Sequence, residues 1–121
     1  MTVADYVRAP TLNSSGNEST AIFTATTDSA NNAVPKFWEG KFVEITPVGG
    51  NLWFYFSSSS SSEVDRTAAA SAAGNTGATV GRYLANGETR QFIVPISTAG
   101  GHTYFVREAD ATTTVYMGLT S

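Results

Sequence analysis

The chain has no cysteine, one histidine and only seven basic residues among 121. Without cysteine there is no disulfide framework and no thiolate metal site, and nothing marks a redox compartment. The seven Lys and Arg are scattered among ten acids, for a net charge of −3. Nucleic-acid binding needs a clustered positive footprint, so DNA or RNA is not expected as a partner. No apolar run approaches the roughly eighteen residues of a membrane-spanning helix, so no membrane span is expected. The first residues, MTVADYVRAP, lack a basic region followed by an apolar one. No secretory signal is read there, and synthesis is placed in a cytoplasm.

Charged residues make up 14% of the chain and hydrophobic ones 41%. A disordered chain would be poorer in apolar residues and richer in charge. Ser and Thr supply about a quarter of the residues. Thr, Val, Phe and Tyr suit pleated sheets, and strong helix formers other than Ala are few. The length fits one domain with a core of its own. An all-β domain is the expectation.

Strand signals recur at regular spacing. Residues 1–19 read as an extended N-terminal arm, with Val3, Val7 and Ala9 at alternate positions before Pro10 and a polar NSSGNES turn. Residues 20–121 then form a single domain. TAIFTATT is a strand, and DSANNAVPK reads as a loop. GKFVEITP alternates, with Val43 and Ile45 on one side and Phe42, Glu44 and Thr46 on the other. Gly49–Gly50 signals a hairpin turn into NLWFYFS. GATVGRYL, ETRQFIVPI, HTYFVREA and TTTVYMGL complete the set. About seven short strands predict an antiparallel β-sandwich, jelly-roll or immunoglobulin-like.

Residues 57–77 stay open between two readings. Ser60 and Glu63 fit a capping box, alanines follow, and Gly74 suits a helix end. Glu63–Val64–Asp65–Arg66 alternates instead, as a strand or irregular excursion after the six serines. The excursion is expected to project from the sandwich.

Catalysis needs proton-trading or nucleophilic groups held close together. His102 stands alone after Gly100–Gly101, and no nucleophile elbow, metalloprotease helix or phosphate loop is present. No catalytic residue, cofactor or small-molecule substrate is assigned. Glu63 and Asp65 would point the same way on a strand and begin a hard-cation site, yet calcium takes about six to eight oxygens. No metal is assigned either.

The aromatics carry more. In Leu52–Trp53–Phe54–Tyr55–Phe56, period two sets Leu52, Phe54 and Phe56 on one face and Trp53 and Tyr55 on the other. A half-exposed antiparallel strand does not need two apolar faces. Either the chain covers the second face itself, or Trp53 and Tyr55 meet a partner, with Phe37 and Trp38 extending the patch. Sugar stacking on Trp38 or Trp53 is a further reading. Val3, Tyr6 and Val7 of the arm join the candidate protein–protein interface.

The second half has a recognisable cadence: GRYLANGETRQFIVP, then HTYFVREADATTTVYMGL. A Leu-Ala-x-Gly-Glu turn leads into a strand ending in Val-Pro, an aromatic strand and a final Thr/Val strand. Over residues 40–119 this resembles small virion proteins of tailed bacteriophages, above all the head decoration (cement) proteins. The resemblance implies a non-enzymatic β-rich protein on the capsid surface of the virion. Its implied partners are the major capsid protein and sister copies, as a homotrimer. Near neighbours of that reading are a head–tail joining protein and a fibre- or tail-associated glycan-binding module. A small hydrolase using His102 is a rival from another class.

Overall fold

Each strand of the two main sheets, among the described residues, pairs with strands far away in the sequence. The structure, a computed structural model, describes residues 19–60, 63–65, 79–98 and 100–120. Chain order gives β1 (Thr20–Ala25), β2 (Ala30–Ala33), a 3₁₀ turn (Lys36–Trp38), β3 (Phe42–Val48) and β4 (Leu52–Ser57). Then follow β5 (Val64–Asp65), β6 (Thr79–Val80), β7 (Arg82–Leu84), β8 (Arg90–Ile93), β9 (Tyr104–Ala109) and β10 (Thr113–Leu119).

Two four-stranded antiparallel sheets pack as a sandwich, one ordered β1-β10-β3-β8 and the other β2-β9-β4-β7. Successive strands change sheet at each step except from β4 to β7. That is the jelly-roll arrangement, and it selects between the two topologies expected. The long passage between β4 and β7 holds the short parallel pair β5–β6.

The core follows from alternation. Val43, Ile45, Leu52, Phe54, Leu84, Phe105, Val115 and Met117 face inward and are buried. An aromatic cluster fills the middle, with Phe54 4.9 Å from Phe92 and 5.5 Å from Phe105, ring centre to ring centre. Phe23 closes on Phe105 at 5.3 Å. Each such ring contributes roughly 1.5–3 kcal/mol by transfer from water.

Two expectations need correction. Gly49–Gly50 does not close a hairpin, because β3 and β4 lie in opposite sheets. The pair is a corner between sheets, with Gly49 at φ 117°. A Cβ on Gly50 would stand 2.6 Å from the Thr113 hydroxyl oxygen. The corner is locked to the β9–β10 corner by Asn51, which donates from N and Nδ2 to the Asp110 carboxylate at 2.9 and 2.8 Å. Such a lock leaves space for no side chain. Second, the presumed loop after Thr27 contains β2. Ala and Asn are poor strand formers. Here β9 supplies the ladder, and pairing overrides propensity.

The two open sides of the sandwich are finished differently. Between edge strands β1 and β2, the buried Arg107 of β9 bridges the sheets. It donates from Nε to the Thr24 carbonyl (2.8 Å) and from Nη2 to Asn32 Oδ1 (2.7 Å). The guanidinium also lies over the Phe23 and Phe105 rings. Burial pulls its pKa down to about 10, so it remains a cation at neutral pH. Between β7 and β8 the tie lies at one end and is more exposed: Arg90 of β8 donates from Nη2 to the Tyr83 carbonyl of β7 at 3.3 Å. β7 has three residues and pairs with β4 only as far as Phe54. Beyond that point the side is open.

Candidate interaction surface

The sequence-predicted aromatic patch divides on folding. Trp38 is not at a surface: it is completely buried in the core. Pro35 and the 3₁₀ turn reverse the chain there, the Trp38 N–H donates to the Pro35 carbonyl at 3.0 Å, and the indole points inward. That removes Trp38 from an interface and from sugar stacking. Phe37 is half-buried against the core, with the Lys41 ammonium 5.6 Å from its ring centre. Val3, Tyr6, Val7 and the rest of the arm lie outside the described residues.

Trp53 and Tyr55 do sit on the outer face of their sheet, both half-buried. Trp53 packs against Tyr83 of β7 at 5.1 Å. The Tyr55 hydroxyl donates to the Glu63 carbonyl at 3.0 Å. Val64 of β5 is buried beside them, and its N–H donates to Ser29 Oγ. The start of the excursion therefore folds back over β4 instead of projecting. Gly81 permits this close approach, since a Cβ there would meet the Phe54 nitrogen and Val64 Cγ1, each at 2.9 Å. The helix reading starts at the Ser60–Glu63 capping box, but Val64–Asp65 form a strand; residues 66–78, which hold the rest of that reading, lie outside the described residues.

The larger apolar surface is elsewhere. Five exposed large apolar side chains share the outer face of β1-β10-β3-β8: Ile22 (66% exposed), Ile93 (53%), Val48 (49%), Phe42 and Tyr116 (47% each). Register brings them together, with Tyr116 opposite Ile22 and Phe42 opposite Ile93. Gly118 has no side chain and leaves a groove of about 400 Å³ between Thr20, Ile22, Glu44, Thr46 and Tyr116. Glu44 is the one acidic side chain in its lining. The signal was present in the sequence: TAIFTA and TTVYMGL carry apolar residues at both parities, so each offers one to the outside.

The polar groups form smaller assemblies. A cleft of about 470 Å³ is lined by Thr27, Asp28, Ser29, Asn31, Glu63 and Glu108. Ser29 ties it together, donating to Glu108 Oε1 at 2.8 Å. No group of three or more acidic or histidine side chains placed to hold a metal occurs among the described residues. At the 3₁₀ turn, Glu39 accepts from Ser97 N and Oγ at 3.0 and 2.9 Å and pairs with Lys36 at 3.3 Å. Burial pushes the Glu39 carboxyl up, but the Ser97 donors and the Lys36 ammonium outweigh it and hold the carboxyl below its usual value. His102 is exposed, with its ring 6.4 Å from that of Tyr104.

The Leu-Ala-x-Gly-Glu turn is the corner from β7 to β8. Glu88 accepts from the Ala85 N–H at 2.9 Å and from Arg90 Nε at 3.0 Å. These contacts fix the sheet change without a hairpin. Comparison with protein-family models, curated proteins and solved structures finds no match.

Proposed function

We propose that this chain is a non-enzymatic structural protein of a tailed-phage virion, a decoration or cement protein that binds the outer surface of the capsid. The observation that carries the reading is the bare apolar face of β1-β10-β3-β8. Soluble monomers seldom leave such patches uncovered, and where they occur they mark contacts. The corner and strands of the second half carry a sequence cadence that resembles the decoration proteins. Jelly rolls recur in virus shells, although architecture alone does not fix a function.

The size of the face fits assembly in an array. With strands ~4.8 Å apart and ~3.3 Å per residue, four strands cover roughly 400 Å². A stable two-body interface takes about 800 Å² per partner. One copy therefore binds weakly through this face, and linked copies, as in a trimer, bind by avidity. The partners are the major capsid protein and sister copies.

The test is co-sedimentation of the purified chain with expanded phage heads, together with its mass in solution. Saturable binding by an oligomer is the expected result, lost in Ile22→Asp/Tyr116→Asp at unchanged thermal stability. A monomer that ignores the heads, or a double variant that binds as before, sinks the reading.

A further inference from the structure

The open side between β7 and β8 combines two features that belong together chemically. The first is a free sheet edge. Val94 exchanges hydrogen bonds with the β3 side, donating to the Lys41 carbonyl and accepting from the Gly40 N–H. In an antiparallel ladder the direction alternates, so Phe92 and Arg90 also bond toward β3. Gln91 and Ile93 consequently aim their N–H and C=O groups outward. Both residues are exposed, and β8 is the last strand of its sheet among the described residues.

The second feature is a pocket of about 300 Å³ directly beside that edge. Its walls are Phe54, Phe56, Phe92, Ile93 and Pro95. It exists because β7 ends at Arg82, the partner of Phe54, and so leaves Phe56 without a β7 partner. Arg82 stands at the pocket with its guanidinium 5.8 Å from the Phe92 ring centre. No carboxylate lines the pocket among the described residues, and no ion pair to Arg82 is present among them. The site thus offers apolar walls, a single cation and a row of unpaired backbone groups.

We infer that this edge accepts an extended acidic segment of a partner protein by strand addition to β8. Backbone pairing with Gln91 and Ile93 supplies the alignment, and the pocket reads alternate side chains. Residues two apart on the added strand face the same way. One inward side chain is apolar and enters the pocket walled by Phe56, Ile93 and Pro95, over the edges of Phe54 and Phe92. The inward residue two positions away is Asp or Glu, paired with Arg82. The pocket has a size for side chains and not for a folded domain. This inference stands independently of the virion reading, since it requires only an extended partner segment.

The test uses the full isotope-labelled chain and an acetylated, amidated nonapeptide alternating Thr and Val, with Glu replacing one Val. The expected result is saturable binding below about 1 mM. Shifts should map to Phe54, Phe56 and Phe92, and amide exchange at Gln91 and Ile93 should slow about tenfold. Methylating alternate peptide nitrogens should abolish binding. Replacing the peptide Glu by Lys, or making Arg82→Gln, should weaken binding about three- to fivefold, the range of an exposed ion pair. Gln91→Pro keeps the bonds toward β3 and should block the edge.

The peptide variants need no refolded protein, so a misfolding Arg82→Gln cannot obscure the outcome. Absence of binding up to about 1 mM overturns the proposal. So does equal affinity for the methylated peptide, which would make the contact a surface stickiness. If the Gln91 and Ile93 amides are already protected without peptide in a dimeric chain, a second copy holds the edge and the proposal falls.

Discussion

The two outer faces of this sandwich are both apolar, and among the described residues only one is covered. Over β4, the chain places Tyr83, Val64 and the Glu63 carbonyl against Trp53 and Tyr55. Over β10, Ile22, Tyr116 and Val48 stand exposed around the space left by Gly118. The difference is a matter of supply. The passage from β4 to β7 is long enough to return across its own sheet, whereas the described corners flanking β1, β3, β8 and β10 are too short to do so. A dense aromatic run therefore marks the face that the chain covers, and isolated Ile, Phe and Tyr residues mark the face that stays exposed among the described residues.

The largest effect should come from wedging the cover open. Gly81→Val puts a branched side chain against the Phe54 backbone and Val64, and should cost about 3 kcal/mol in urea unfolding. If the cost were under 1 kcal/mol, the cover would be loose and the contrast between the faces would weaken. Trp53→Ala is next. It removes a half-buried ring packed on Tyr83, with an expected loss of about 2 kcal/mol and unchanged association with heads. Loss of association at full stability would return Trp53 to the interface.

Acid provides a lever that touches neither face. The folded Glu39 carboxyl lies below its ordinary value of 4.5, so its contribution is present above that pH and is lost as pH falls through the folded value. Thermal unfolding should show a steeper loss below pH 4.5 for the natural chain than for Glu39→Gln. Parallel curves for the two would remove Glu39 from the account. On the bare face, Ile22→Thr with Tyr116→Thr should change unfolding by no more than about 0.5 kcal/mol while reducing head binding. The smallest change is Gly118→Ala. Its Cβ would make ordinary contact with Thr20 at 3.6 Å, so stability should hold while the groove shallows and binding drops slightly. A destabilisation above 1 kcal/mol there would place the glycine in the fold, not the surface.

Most of the strands were legible from alternation, as in β3, or from runs of Thr, Val and aromatic residues, as in β10. β2 was not, since ANNA has neither alternation nor strand propensity and takes its form from β9 and from the bond between Asn32 and Arg107. The Gly49–Gly50 turn was legible as a turn, but whether a turn joins partners depends on pairings that local residues do not encode. Trp38 illustrates the same limit. Its neighbours Lys36 and Phe37 suggest a surface, and only the 3₁₀ reversal turns the indole inward. The bare face could be read residue by residue from the parity of Ile22 and Tyr116. Which of two apolar faces is covered depended on Val64 and Tyr83, both distant from Trp53 in sequence.

The pairing of β1 with β10 has a consequence for how the molecule is made. Thr20 and Gly118 are register partners, and among the described residues β1 is bonded to no other strand of its sheet. At a synthesis rate of about 5–20 residues per second, the first strand waits several seconds for its mate to leave the ribosome. During that interval Ile22 and Phe23 have no ladder to join, and a nascent chain must hold them in solution or in the care of a chaperone. Closure then arrives in one late step, when the last strand slots between β1 and β3 and completes its sheet at once.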